Sequence, residues 1–96
     1  MDFEKLLKQA QAMQKELEKK SEEIAEKEYE GSESNGLVKV KINGENNALS
    51  VKIDPSILNP EDEEMIEELL VIAINDAVNR LHNDQEDVFG GMIPGI

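Results

Sequence analysis

The sequence predicts an α+β fold: a helix, a small antiparallel three-stranded sheet, and a second helix, paired as a dimer. Three observations carry this. Val38, Val40 and Ile42 alternate with Lys39 and Lys41, and Leu49, Val51 and Ile53 alternate with Ser50 and Lys52, with Asn43-Gly44 between them. Period-two alternation on both sides of an Asn-Gly pair is the mark of a β-hairpin with one buried face, here over 36–53. Apolar residues before the hairpin repeat with a helical period, and so do those after it.

Taken in order, Phe3, Ala10, Leu17 and Ile24 occupy one seam position of a heptad over residues 1–25, and Leu6 and Met13 occupy the other, where Lys20 interrupts. Such a pattern predicts an amphipathic helical arm. With about 100° of rotation per residue, Lys5, Lys8, Lys15 and Lys19 share a stripe about 80° wide opposite that seam. An edge strand is expected near 27–31, around Tyr29, followed by a polar loop. After the hairpin, Asp54-Pro55 marks a turn, and Asn59-Pro60 followed by acids marks a helix start at 60.

The second helix is expected to run from 60 to about 83. Its apolar residues cover an arc of about 260°, too wide for one sheet to bury. A second copy is the expected cover, through Met65, Leu69, Leu70, Ile72, Ala73, Ile74, Ala77 and Val78. Residues 1–89 thus read as one domain: an arm over 1–25, sheet and turns over 26–58, and the second helix over 59–83. Residues 84–96 read as a flexible tail, acidic and then apolar, with Phe89 or Met92 as anchors.

Composition narrows the function. Ninety-six residues with three aromatics and no Trp make a thin private core, which again favours a shared one. The absence of Cys excludes disulfides and thiolate sites. No signal peptide or spanning segment is expected, so the protein reads as soluble and cytoplasmic. The net charge of −12 is uneven: residues 36–53 carry three Lys against one Glu, whereas 54–96 carry Arg80 alone against eleven acids. Such a protein repels polyanions at long range, so a nucleic acid would have to be met by a local basic patch.

Two patches qualify. The lysine stripe of the first helix can track phosphates, or it can be neutralised by Glu4–Lys8, Glu16–Lys20 and Lys19–Glu23 pairs. Lys39, Lys41 and Lys52 project from the polar face of the hairpin, to meet phosphates or merely to keep an open sheet face soluble. Acids at 61–64 match no calcium loop and suit a first helical turn. His82 stands alone, and Gly90-Gly91 is no phosphate loop. No catalytic residue, metal site or cofactor is expected, and the chain reads as a non-enzyme.

Leu7-Lys-Gln-Ala-Gln-Ala-Met-Gln14, Gly36-Leu-Val-Lys-Val-Lys-Ile-Asn-Gly44, Val51-Lys-Ile-Asp-Pro-Ser-Ile-Leu58, Asn75-Asp-Ala-Val-Asn-Arg80 and Gly91-Met-Ile-Pro-Gly95 span nearly the whole chain. In order and spacing the set resembles the YbaB/EbfC family of nucleoid-associated DNA-binding proteins. The resemblance implies a dimer with a tweezer-like outline and protruding helical arms. It also implies sequence-tolerant, salt-dependent binding of double-stranded DNA and a role in nucleoid organisation or gene regulation. The chain departs from it at Leu49, Ser50 and Asn79, where family members often carry basic residues. Candidate DNA contacts are Lys5, Lys8, Lys15, Lys19, Lys39, Lys41, Lys52 and Arg80. The alternative is an acidic dimeric module that recruits a protein partner and has little affinity for DNA. Free or Glu-paired lysines on the first helix separate the two.

Overall fold

In the computed structural model, which describes residues 2–89, helix α1 (Phe3–Glu26) leads into strands β1 (Glu28–Ser32), β2 (Val38–Asn43) and β3 (Ala48–Ile53). Two 3-10 turns (Pro55–Ile57 and Pro60–Asp62) then lead to helix α2 (Glu63–Phe89). The sheet is an antiparallel meander in the order β1-β2-β3, as the alternation predicts. Asp2 caps α1, its carboxylate accepting the Glu4 N–H at 3.1 Å.

Several boundaries differ from the sequence reading, each for a local reason. Residues 60–62 form a 3-10 turn, so α2 begins at Glu63. The Asn59 side chain does not cap; its amide donates to the Ser56 carbonyl and the Asp62 carboxylate instead. At the other end α2 continues to Phe89, so 84–89, expected as tail, are helical. Asp84 is held there by the Tyr29 hydroxyl of β1, which donates to it at 2.5 Å, and by Lys27 between α1 and β1, which pairs with it at 3.0 Å. Phe89 is half-buried against the core; the anchor Met92 and the motif at 91–95 lie outside the described residues.

The Asn43-Gly44 turn also differs from a two-residue hairpin loop. Asn43 Oδ1 accepts the N–H groups of Glu45 and Asn47, and the residue with positive φ is Asn46 (65°). Gly44 is needed for a different reason: a Cβ there would lie 1.8 Å from the Ile24 carbonyl oxygen, where the end of α1 rests on the turn.

The core forms on one face of the sheet. Val38, Val40, Ile42 and Tyr29 project from it against Ala73, Ala77 and Leu81 of α2. Helix and sheet meet backbone to backbone at Gly31, where a Cβ would lie 2.2 Å from the Ala77 nitrogen and 2.3 Å from the Ala73 oxygen. Ala73 and Ala77 are therefore completely buried within the protomer, which corrects their assignment to a dimer surface. They are small because the sheet comes so close.

α2 covers β1 and β2 and leaves β3 bare. Val51 pairs with Val40 on the inner face yet stays 51% exposed, and a β-bulge leaves Leu49 unpaired. The buried face expected for β3 is thus open in the protomer. Beyond the sheet, α1 extends as an arm: 24 residues at 1.5 Å each span about 36 Å. Only Ile24 of α1 is buried, and residues 2–16 are all exposed. The molecule measures 71 × 23 × 15 Å accordingly.

Candidate nucleic-acid interface

The lysine stripe exists because α1 is an uninterrupted helix, so residues at the spacing of 5, 8, 15 and 19 align on one face. From Lys5 to Lys19, fourteen helical rises, it runs for about 21 Å. Of the three neutralising pairs, Glu16–Lys20 forms at 3.2 Å. Among the described residues Lys5, Lys8, Lys15 and Lys19 make no ion pair.

The outer face of the sheet carries the second group. Lys39 stands directly opposite Lys52, and Lys41 opposite Ser50. Like charges opposed across two strands are destabilising, and neither Lys39 nor Lys52 has an acidic partner among the described residues. Lys41 is neutralised by Glu28 at 3.5 Å. Together with Glu30 these side chains border a shallow depression of about 220 Å³.

Both groups lie away from α2. At its C-terminal end α1 faces α2 across a groove between Lys20, Ile24 and Lys27 on one wall and Asp84, Asp87 and Val88 on the other. α2 therefore lies on the seam side of α1 and on the inner side of the sheet. The stripe and the outer sheet face both point away from it. Glu23 also lines that groove, and Glu26, Glu28 and Glu30 separate the two lysine groups along the chain.

Arg80 is not brought to either group. It sits on α2 and donates to Asp76 at 3.3 Å, and Asp76 also accepts the Ser32 N–H of the β1 edge at 3.0 Å. The backbone N–H of Ser32, then Arg80, holds the Asp76 carboxyl below the usual carboxylate range. Arg80 is a partner of that bracket.

Sequence reasoning missed the cluster at the root of the arm. Lys27, Tyr29 and Asp84 converge there, with the Lys27 ammonium 5.6 Å from the centre of the Tyr29 ring. Burial and the Asp84 carboxylate push the Tyr29 hydroxyl up to about 12, while the Tyr29 and Lys27 hydrogen bonds hold Asp84 low. Glu33 is a second missed residue. Burial works to raise its pKa, but the N–H groups of Asn35, Val38 and Leu37 all donate to its carboxylate and carry it below the usual range. A Glu ahead of a Ser-Asn-Gly turn was the available signal; for Asp84, 55 residues from Tyr29, the sequence held none.

The apolar surface is placed by the same packing. Asp76 marks the flank of α2 that borders β1, so Val71, Ile74 and Val78, on the opposite flank, border uncovered β3. Val71 is 57% and Ile74 40% exposed, as Val51 (51%) and Leu49 (47%) are on β3. Met65 and Ile72 are exposed on the other flank, and Leu69, Leu70 and Val78 are half-buried. Leu49 and Val51 were expected on the buried face of the hairpin, and neither they nor Val71 were among the residues expected on a dimer surface.

Among the described residues no group of three His, Cys, Asp or Glu side chains could hold a metal ion, the acids at 61–64 included. No helix there is long and apolar enough to cross a membrane. The family model for the YbaB/EbfC DNA-binding family matches residues 1–96. Among solved structures, the chain is similar to the crystal structure of an uncharacterized protein from Helicobacter pylori. The two are 27% identical, with 96% of this chain and 97% of that one covered and a TM-score of 0.75.

Proposed function

We propose that this chain, which belongs to the YbaB/EbfC DNA-binding family, works as a homodimer that grips the backbone of double-stranded DNA with its two lysine groups. The observation that carries the reading is the set of lysines on α1 without acidic partners. Lysines already paired to glutamates would have to break those pairs before meeting phosphates, and unpaired ones need not. Lys5, Lys8, Lys15 and Lys19 supply the main track, and Lys39 and Lys52 a second one. Lys41, paired to Glu28, and Arg80, paired to Asp76, contribute less. Lysine reads charge rather than base identity, so the binding is sequence-tolerant. A role in nucleoid organisation or gene regulation follows from such binding, and with it a cytoplasmic, nucleoid-associated location. The protein acts by binding, not by catalysis.

Dimerisation is part of the proposal. Leu49, Val51, Val71 and Ile74 are each about half exposed, between 40% and 57%. Covering the exposed half of a side chain is worth about 1 kcal/mol, hence about 8 kcal/mol for a pair of protomers. That offsets an association cost of about 4–15 kcal/mol in its lower range, with Val78, Leu70 and the polar rim adding to it.

The test is retardation of duplex DNA by wild-type protein and by the Lys8→Glu/Lys15→Glu variant. Both residues face away from the seam and are exposed, so the variant keeps its fold. Loss of binding with unchanged circular dichroism supports the reading. Undiminished retardation refutes it, and a wild type that fails to bind even at very low salt favours the acidic protein-recruiting module.

A further inference from the structure

The seam of α1 has no role in what precedes. Phe3 is 75%, Leu6 46% and Met13 55% exposed, along a helix that meets the body only near its C-terminal end. A lone helical stretch of that length is marginal in water without cover. The end of α2 points toward it. Lys27 touches Asp84, and about one turn further out along both helices Ile24 and Val88 line the same groove. The two helices therefore run antiparallel at the root of the arm, and α2 heads toward the tip of α1 on its seam side. The outline agrees: helices of about 36 and 40 Å that overlap only at their C-terminal ends account for a molecule 71 Å long.

We propose that the seam is a docking site for the chain's own residues 90–96, running on from α2 along the inner side of the arm. Three properties of Gly90-Gly-Met-Ile-Pro-Gly-Ile96 fit it to that site. It carries no charge and three large apolar side chains, so an apolar strip is met without stranding a charge. Its Gly90-Gly91 and Pro94 disfavour further helix, so it can lie extended. Its length also suffices: seven residues at about 3.3 Å each reach about 23 Å, or about fifteen helical rises back along α1. From the level of Lys20 that brings Met92 beside Met13 and Ile96 beside Leu6. The contact would extend one that exists, since Val88 and Phe89 already pack against the core that includes Ile24. A tethered segment also meets its site at an effective concentration on the order of 1 mM, well above that of a free partner.

The consequence rests on the DNA-binding reading above. A covered arm stays helical toward its tip, which keeps Lys5 and Lys8 in line with Lys15 and Lys19. The stripe faces away from the seam, so the docked residues leave it open to phosphates, and two arms each covered by its own chain stay apart.

The chain has no Cys, so a cysteine pair reports the docking directly. Met13→Cys/Met92→Cys is expected to close within one chain under mild oxidation, read as a compact monomer on a non-reducing denaturing gel. Lys15→Cys/Met92→Cys, with its first position on the outward face, is expected to close at least about tenfold more slowly. Equal closure of the two overturns the docking. A covalent dimer as the main product of the first pair also overturns it, by showing that a second copy covers the seam. Met92→Ser/Ile93→Ser, which alters only residues beyond α2, is expected to speed amide exchange over residues 3–16 by about tenfold and to leave β2 unchanged. Unchanged exchange in the arm counts equally against the docking. For the consequence, the same variant should need several-fold more protein to retard duplex DNA, and equal retardation overturns the stiffening of the track. A wild type that binds no DNA refutes the DNA reading and the stiffening together, and the cysteine and exchange measurements still decide the docking.

Discussion

Replacing Gly31 by alanine should loosen the whole protomer. The added Cβ would sit 2.2 Å from the Ala77 nitrogen and 2.3 Å from the Ala73 oxygen. Both are backbone atoms of a helix, so no side chain can swing aside. Ordinary contact begins at 3.4 Å, which requires α2 to withdraw by more than about 1 Å. A radial gap of that size forfeits about a quarter to a half of each dispersion contact along the interface. Ala73, Ala77 and Leu81 on one side and Val38 and Val40 on the other are all essentially fully buried there. Overpacking a core costs about 1–3 kcal/mol, and a backbone clash belongs at the upper end. About 3 kcal/mol is about a fifth to three fifths of the stability expected for a domain this size. Urea unfolding followed by circular dichroism, at fixed protein concentration, should show the midpoint falling by about 2 M. Gly36→Ala is the comparison. Its φ of +69° makes alanine strained, at about 1 kcal/mol, but the nearest atom to its Cβ is the end of the Lys39 side chain at 3.7 Å. If Gly31→Ala costs no more than Gly36→Ala, the close approach of helix and sheet is wrong.

Two further outcomes are expected. Asp76 and Asp84 have folded pKa values below the ordinary carboxylate value, so their contribution to stability is present above about pH 4 and is lost as pH falls through the folded values. Asp84→Asn should therefore lower stability at neutral pH and flatten the acid limb of a stability–pH profile; an unchanged acid limb would count against the Lys27–Tyr29–Asp84 cluster. Tyr29 works in the opposite sense, its share being full below about pH 10 and lost as pH rises toward about 12. Val51→Asp and Ile74→Asp should each break the dimer or aggregate the chain, read by sedimentation; a well-folded wild-type monomer at micromolar concentration would remove the dimer.

Much of this was legible in the sequence, for identifiable reasons. The β2 residues Val38, Val40 and Ile42 keep strict alternation because α2 covers their whole face, so period and burial agree. β3 carries the same pattern, but burial there needs a cover that α2 does not supply, and alternation cannot say which element supplies it. The wheel of α2 similarly marked Ala73 and Ala77 as apolar without saying which side took the sheet. Their small size, set beside Gly31, was the unread signal of close approach. The lysine stripe was legible because an exposed straight helix turns spacing directly into position. Whether its glutamates would reach it was not, since i,i+4 spacing permits several pairs and, among the described residues, Glu16–Lys20 is the one of the three expected that forms. Asp84 shows the remaining limit: its helix was expected to end at 83 because the tie to Tyr29 is tertiary.

The central claim, that unpaired lysines bind the DNA backbone against an unfavourable net charge of −12 per chain, is tested most directly by the salt dependence of duplex binding by the wild-type protein. If about six to eight phosphates are engaged, log K should fall against log[salt] with a slope of about −5 to −7, alike for duplexes of unrelated sequence. A slope near zero, or affinity confined to one sequence, would contradict it.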